Sequence, residues 1–158
     1  MVLSQYPSGL IRHVEQPGRI IMTFVYSHTV RFAETDAAGV VYFANLLTIC
    51  HAGYEASLAA AGVDLQTFFR GESVAMPIVH AEADYFQPLH CGDVCAIEVM
   101  PTQLGSHKFQ VHYRLFQNAP DEKHQLAAQA TTLHLCIHPT TRSKLALPAS
   151  IQAWLDMI

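Results

Sequence analysis

Residues 23–62 read TFVYSHTVRFAETDAAGVVYFANLLTICHAGYEASLAAAG, and this stretch decides the fold. Apolar and polar side chains alternate over residues 23–32, which predicts a β-strand. A turn-like stretch at residues 33–39 follows, and a long apolar pattern with helical spacing comes next. The order of strand, tight turn and helix indicates a sheet that is covered by one helix.

The predicted strand has one apolar face, which carries Phe24, Tyr26, Val30 and Phe32. His28 falls on the same face, where a histidine is more often a packed, hydrogen-bonded residue than a ligand. Such a face must be covered, and the helix that follows can supply the cover.

The predicted helix runs from residue 41 or 42 to residue 61. Its buried face is marked by apolar residues that recur at steps of three and four: Phe43, Leu47, Cys50, Tyr54, Leu58 and Ala61. Gly62 is placed to end the helix. Gly53 costs helix stability relative to alanine, so we expect it to allow another element to approach closely.

Four more strand patterns follow the helix, over residues 76–86, 94–100, 108–116 and 127–138. Short turn sequences separate them, which predicts antiparallel hairpins. Residues 22–158 are therefore expected to form one α+β domain, an antiparallel sheet with one long helix. Residues 1–21 are expected to be an extension outside the core, and Pro148 opens a short last helix or tail.

The chain has 158 residues, enough for one domain with a substantial core, and only 14% of them are charged. So apolar a chain is expected to hide surface in a homo-oligomer. The net charge of -4 and the scattered basic residues argue against nucleic-acid binding. No apolar run reaches membrane-spanning length and no secretory signal opens the chain, so we expect a cytoplasmic protein with reduced thiols.

Asp36 lies between the end of the first strand and the start of the helix. Amides at a helix start lack intrahelical partners and carry partial positive charge. Such amides can stabilise an oxyanion, while a carboxylate nearby activates water or attacks directly, so the two together suit acyl transfer. An ordinary N-cap is the competing interpretation, and it is the commoner role of an aspartate here.

Other catalytic templates are missing from the sequence, including the Gly-x-Ser-x-Gly elbow, the phosphate-binding loop and His-Glu-x-x-His. Cys91 and Cys95, next to His90, fit no zinc-binding spacing. We therefore expect neither a metal nor a cofactor.

Residues 35–45, TDAAGVVYFAN, resemble the signature of the 4-hydroxybenzoyl-CoA thioesterase family. Residues 85–88, YFQP, followed by Gly92 and Asp93, are similar to the turn between that family's second and third strands. The resemblance implies a hot-dog fold, in which an antiparallel sheet wraps around one long helix. It also implies active sites between the subunits of a homodimer, which often pairs into a homotetramer.

The essential aspartate of the family falls on Asp36, and the amide that polarises the thioester carbonyl falls near Phe43. Gly39 would permit a tight backbone path beside that carbonyl. The resemblance leaves open whether the carboxylate attacks the carbonyl or activates water. A second hot-dog subgroup uses a helical glutamate, which would be Glu55, but the His-Gly-Gly run of that subgroup is absent.

Two branches of the family, which act on different acyl-CoA thioesters, are possible assignments for this chain. General short-chain acyl-CoA thioesterases of the Tol–Pal cluster typically have Tyr-His-Ala-Asn where this chain has YFAN at residues 42–45. The branch that hydrolyses 1,4-dihydroxy-2-naphthoyl-CoA in phylloquinone and menaquinone synthesis is more similar. Residues 39–43 (GVVYF), 50–55 (CHAGYE) and 77–81 (PIVHA) carry that similarity. A hot-dog module that binds acyl-CoA without catalysis is a third interpretation.

The expected partner is a small acyl-CoA molecule, with no nucleic acid and no membrane. A bicyclic acyl group needs an apolar slot, which Tyr42 and Phe43 are predicted to line. The phosphates of CoA need cations, for which Lys108, Arg142 and Lys144 are the candidates.

Overall fold

A computed structural model describes residues 9–15, 19–118 and 124–158 of the chain. The strands are β1 (Gly9–Glu15), β2 (Arg19–Thr29), β3 (Ile78–Tyr85), β4 (Val94–Gly105), β5 (Lys108–Asn118) and β6 (His124–Leu135). The helices are α1 (Asn45–Ala60), α2 (Leu65–Arg70) and α3 (Ala149–Met157), with a short 3-10 turn at Phe32–Glu34.

The described strands form one antiparallel sheet in the order β1-β2-β4-β5-β6-β3. Helix α1 lies against β2 and β4 near the middle of this sheet. The α+β hot-dog arrangement, a sheet around one long helix, is confirmed. Because β1 and β3 are the two edges, each has one side without a partner among the described strands.

Helix α1 approaches the sheet closely at Gly53. A Cβ atom at this position would lie 3.3 Å from Val99 Cγ2 and 3.5 Å from Tyr26 Cβ. The expectation that Gly53 allows a close approach is therefore confirmed. A larger side chain would push the helix away from β2 and β4.

Strand β5 forms the floor of the core. The predicted strand is confirmed, and its side chains alternate: Phe109, Val111, Tyr113 and Leu115 are fully buried on one face. Helix α3, which follows Pro148 as predicted, closes one end of this core. The indole of Trp154 is fully buried and donates a hydrogen bond to Ser57 Oγ at 3.1 Å.

The first predicted strand differs from the observed one at both ends. Strand β2 stops at Thr29, and Phe32 lies in the 3-10 turn with 82% of its surface exposed, so its assignment to the buried face was wrong. At the other end β2 reaches back to Arg19 and pairs with β1. The predicted domain boundary at residue 22 stays a prediction, although this backbone pairing crosses it.

Helix α1 starts later than the periodicity predicted. It begins at Asn45 because the backbone before it is extended: Val40 pairs with His90 and Val41 pairs with Thr35 in antiparallel bridges. Phe43 is consequently 61% exposed and not part of the buried face. The predicted end holds, because the chain turns at Gly62 with a φ of 82°.

Strand β3 is exposed on both of its faces in the single chain. The apolar side chains of Val79 and Tyr85 are half exposed, because α1 lies against β2 and β4 and not over this edge strand. None of the described helices is both long and apolar enough to cross a membrane.

Candidate active site

Asp36 lies in a small closed loop between β2 and α1. Thr35 and Val41 pair at the base of the loop, and the Asp36 N–H donates to the Val40 carbonyl at 2.9 Å. The Gly39 N–H returns a bond to the Asp36 carbonyl at 2.9 Å. Gly39 has a φ of 78°, a conformation that glycine adopts readily, and this lets the loop turn so tightly.

The Asp36 carboxylate is exposed, and only one of its oxygens has a partner among the described residues. Oδ1 accepts a hydrogen bond from the Ala38 N–H at 2.8 Å, which fixes the rotamer. The competing N-cap interpretation is wrong. The residue at the N-cap of α1 is Ala44, which makes no side-chain capping bond.

The start of helix α1 leaves an amide free near this loop. The Asn45 N–H bonds to the Tyr42 carbonyl at 2.8 Å, whereas the Phe43 N–H has no acceptor within the described part of the chain. The rings of Tyr42 and Phe43 pack against each other at a centroid distance of 4.6 Å and are both exposed. An exposed, unpaired amide is the kind of donor that can polarise a carbonyl.

Glu34 connects the loop to the helix start. Its carbonyl accepts from the Tyr42 N–H and from Asn45 Nδ2, both at 2.9 Å. Its side-chain Oε2 accepts from the Arg31 N–H at 2.8 Å and lies 2.9 Å from His28 Nε2. Burial raises the pKa of this carboxyl, but the bonds from Arg31 and His28 outweigh burial and leave the pKa below its usual value.

Strand β3 meets the helix start through one side chain. The Tyr85 hydroxyl donates to the Phe43 carbonyl at 2.7 Å, across 42 positions of sequence. The turn after β3 also braces the Asp36 loop, because Val40 pairs with His90. Sequence analysis assigned no role to Tyr85, and its only signal there was its place in the YFQP motif.

An apolar pocket of about 260 Å³ opens beside the loop. Its walls come from the loop, the first turn of α1, the end of β3 with the turn after it, and β6. They include Val40, Val41, Leu46, Tyr85 and Phe86. The ring atoms of Tyr42 and Phe43 do not line this pocket in the single chain, so their predicted role as slot residues stays a prediction.

Glu55, the rival carboxylate, lies far along the helix from the unpaired amide. Ten residues separate it from Asn45, which corresponds to about 15 Å of helix axis. Its carboxylate lies 3.4 Å from His51 Nε2 on the helix surface. Within one chain, therefore, it is the loop of Asp36, and not Glu55, that is joined by hydrogen bonds to the residues around Phe43.

The three candidate cations lie at the end of the sheet opposite Asp36. Lys108 is the first residue of β5. The turn before β5 contacts the segment that leads to Arg142 and Lys144, because the Cys136 N–H donates to the His107 carbonyl. None of the three forms an ion pair with any described carboxylate.

The described residues contain no group of three or more His, Cys, Asp or Glu side chains that could hold a metal ion.

Comparison with known proteins identifies relatives over most of the chain. Residues 30–155 match the family profile described as the thioesterase-like superfamily. The 1,4-dihydroxy-2-naphthoyl-CoA hydrolase of Crocosphaera subtropica is 49% identical over 130 residues, 82% of this chain and 93% of that protein. The hydrolase of the same name from Synechococcus elongatus is 50% identical over 136 residues, 85% of this chain and 96% of that protein.

Solved structures agree with this relationship. The crystal structure of a 1,4-dihydroxy-2-naphthoyl-CoA thioesterase from Synechocystis superimposes with a TM-score of 0.79 at 40% identity, covering 85% of this chain and 96% of that one. A thioesterase structure from Prochlorococcus marinus, described as putative, gives a TM-score of 0.78 at 38% identity over 84% of this chain and 94% of that one. The chain therefore belongs to the thioesterase-like superfamily of hot-dog proteins.

Proposed function

We propose that this protein hydrolyses 1,4-dihydroxy-2-naphthoyl-CoA to 1,4-dihydroxy-2-naphthoate and CoA, a step of phylloquinone and menaquinone synthesis. One observation carries the chemistry: the exposed Asp36 carboxylate lies in a tight loop joined by hydrogen bonds to a helix start whose Phe43 amide is unpaired. The choice of acyl group rests on the relatives, which are about half identical and bear that name.

The reaction requires little beyond these two groups. The Phe43 N–H donates to the thioester oxygen and stabilises the negative charge that develops there. Asp36 either takes a proton from water, whose oxygen then adds to the carbonyl carbon, or adds through its own carboxylate oxygen to give an anhydride that water cleaves. In both routes the carbon–sulfur bond breaks, and the thiolate of CoA leaves and is protonated.

The acyl group is assigned to the apolar pocket beside the loop. A flat bicyclic ring can pack against Val40, Leu46 and the Tyr85 ring, all of which line the pocket. Gly39 precedes Val40, which lines the pocket, and is proposed to leave room there for the substrate because it has no side chain. Tyr42 and Phe43, exposed beside it, are proposed to contact the substrate.

Two copies of the chain are proposed to form a homodimer through β3, and pairs of dimers could form a homotetramer. Strand β3 has a free edge and exposes apolar residues in and beside it, among them Ile78, Val79, Tyr85 and Phe86. Two identical edge strands can pair antiparallel about a two-fold axis. Active sites would then lie at the subunit interface, because Tyr85 belongs to both β3 and the Asp36 region.

An antiparallel pair of β3 strands also explains the remote cations. Strand β4 has 12 residues, so about 36 Å separate the Asp36 end of the sheet from the Lys108 end at ~3.3 Å per residue. That exceeds the reach of one CoA from thioester to phosphates. Antiparallel pairing places the Lys108 end of one subunit near the Asp36 end of the other. We therefore assign Lys108, Arg142 and Lys144 to CoA phosphates bound across the interface.

The first test is thiol release from 1,4-dihydroxy-2-naphthoyl-CoA, benzoyl-CoA and hexanoyl-CoA. We expect rapid release from the naphthoyl ester, and a loss of at least ~1,000-fold in Asp36→Asn. Asp156→Asn, which neutralises another exposed carboxylate, is the matched control and should keep full activity. A preference for hexanoyl-CoA would move the protein to the short-chain branch, and no hydrolysis of any ester would leave a binding module.

The composite site has its own test. Asp36→Asn subunits and subunits with Lys108, Arg142 and Lys144 changed to alanine should both be inactive at low substrate concentration. Mixed dimers should regain activity, because one of their two sites contains both an intact Asp36 and intact cations. Absence of complementation would show that each chain binds CoA alone.

The cytoplasmic location expected from the sequence stays a prediction.

A further inference from the structure

The carbonyl and the side chain of Glu34 accept four hydrogen bonds that no step of the proposed reaction uses. Two reach its carbonyl, from the Tyr42 N–H and from Asn45 Nδ2, and both are 2.9 Å long. A carbonyl oxygen has two lone pairs, so both are occupied. These bonds join the chain two residues before Asp36 to the residues on either side of Phe43.

The other two bonds anchor the Glu34 side chain to the end of the preceding strand. Oε2 accepts from the Arg31 N–H at 2.8 Å and from His28 Nε2 at 2.9 Å. His28 belongs to β2 and is only 7% exposed, while Glu34 is 19% exposed. A half-buried carboxylate with two donors on one oxygen has little freedom to rotate. The Glu34 peptide is therefore held by the sheet as well as by the helix.

We propose that Glu34 is a positioning residue that sets the distance between the Asp36 carboxylate and the Phe43 amide. This inference rests on the proposed function, since it requires those two groups to act on one thioester. The carboxylate and the amide belong to the loop and the helix start, which Glu34 joins. Displacement of one by about 1 Å relative to the other can cost about 100-fold in rate.

Three variants separate this role from simple stabilisation. Glu34→Ala removes both side-chain bonds and should lower kcat about 30-fold with KM changed less than about 3-fold. Glu34→Gln keeps an acceptor oxygen for Arg31 and His28, so it should restore kcat to within about 5-fold of wild type. Asn45→Ala removes one bond to the Glu34 carbonyl and should lower kcat about 10-fold.

Glu98→Ala is the matched control. Glu98 is another largely buried carboxylate, and its Oε2 accepts from Arg114 Nε at 2.7 Å on β4 and β5, away from the loop. Its removal should lower the midpoint of unfolding and leave kcat within about 2-fold, because no bond of Glu98 reaches the helix start.

The proposal is overturned if Glu34→Ala and Asn45→Ala keep the kcat of Glu98→Ala, or if Glu34→Gln is as impaired as Glu34→Ala. A further readout is the background of Asp36→Asn, where Glu34→Ala should cause no additional loss of the residual rate. An active Asp36→Asn protein would instead refute the proposed function itself. An inactive Asp36→Asn protein with a fully active Glu34→Ala would refute only the positioning role.

Discussion

The two ends of helix α1 are held in different ways. At its start, Phe43 is exposed and the chain is placed by single hydrogen bonds, such as those to the Glu34 carbonyl. In its second half, Tyr54 and Leu58 are fully buried, and the Tyr54 ring packs against Trp154 at a centroid distance of 5.5 Å. One end is positioned by directional bonds, and the other by packing.

The difference indicates that the start of α1 serves the reaction and that its second half provides stability. Hydrogen bonds fix geometry without covering the groups they fix, so a carboxylate and an amide remain accessible to substrate. Packing of aromatic rings removes apolar surface from water and provides stability, but leaves no room for a ligand. Substitutions at the start of α1 should therefore change the reaction, and substitutions near Trp154 should change the free energy of unfolding.

The largest effect is expected for Trp154→Ala. Its ring is fully buried against Tyr54 and Phe109, so truncation should lower the free energy of unfolding by about 3–5 kcal/mol. Phe43→Ala, the matched aromatic at the exposed end, should cost less than about 0.5 kcal/mol and impair the reaction instead. Urea unfolding measures the first quantity. Equal losses of stability in the two variants would contradict the separate roles of the two ends of α1.

The second prediction uses pH to probe the packed end. Burial lowers the pKa of His134 to about 4 from 6.5, with a further contribution from His51. Its Nε2 lies 2.8 Å from Thr132 Oγ1 and its ring stacks on Phe109, so the neutral imidazole is the form that packs. Between pH 6.5 and pH 4 the unfolded chain binds a proton at this histidine that the folded chain does not.

Stability should therefore be complete above pH 6.5 and should fall as the pH drops toward 4. The shift corresponds to a loss of about 3 kcal/mol across this window. His134→Leu removes the titrating group, so the decline in its free energy of unfolding should be shallower by that amount. Wild-type and variant curves that run parallel from pH 7 to pH 4 would contradict this account.

Much of the fold could be predicted because local patterns and tertiary packing agree there. In strand β5, apolar and polar residues alternate in sequence, and buried and less buried side chains alternate in the fold. Gly62 ends the helix with a positive φ, a conformation that favours glycine. The Asp36 loop could be predicted because its motif resembles that of a known family. The start of α1 could not be predicted, because Val40 and Val41 pair with His90 and Thr35 in extended backbone, and periodicity contains no information on such pairings.

The rest of the candidate site depends on contacts that only the folded chain creates. Tyr85 reaches Phe43 across 42 positions, and no local pattern connects the two. The exposure of Val79 on β3 was equally unpredictable from alternation. Alternation identifies an apolar face without telling whether the same chain or a second copy covers it.

The third prediction compares two glycines that flank the helix region. Gly39 and Gly62 have φ values of 78° and 82°, and a Cβ at either position would meet no atom within 4 Å. Alanine should therefore cost about 1–2 kcal/mol of stability at both, through backbone strain alone. Only Gly39→Ala should also lower kcat, by an expected tenfold or about 1.4 kcal/mol, since it strains the loop of Asp36. A similar loss of kcat in Gly62→Ala would show that the reaction follows stability.

The smallest effect is expected for single hydroxyl groups. The Tyr85 hydroxyl donates to the Phe43 carbonyl at 2.7 Å, and Tyr85→Phe keeps the ring that lines the pocket. Loss of one such bond is worth about 1 kcal/mol, so kcat should fall about fivefold with the midpoint of unfolding nearly unchanged. Tyr113→Phe is the control, because its buried hydroxyl lies 3.3 Å from Thr132 Oγ1 in the core. It should lower stability by about 1 kcal/mol and leave kcat unaltered. If the two variants exchanged these effects, the exposed end of α1 would not be the part that positions the reacting groups.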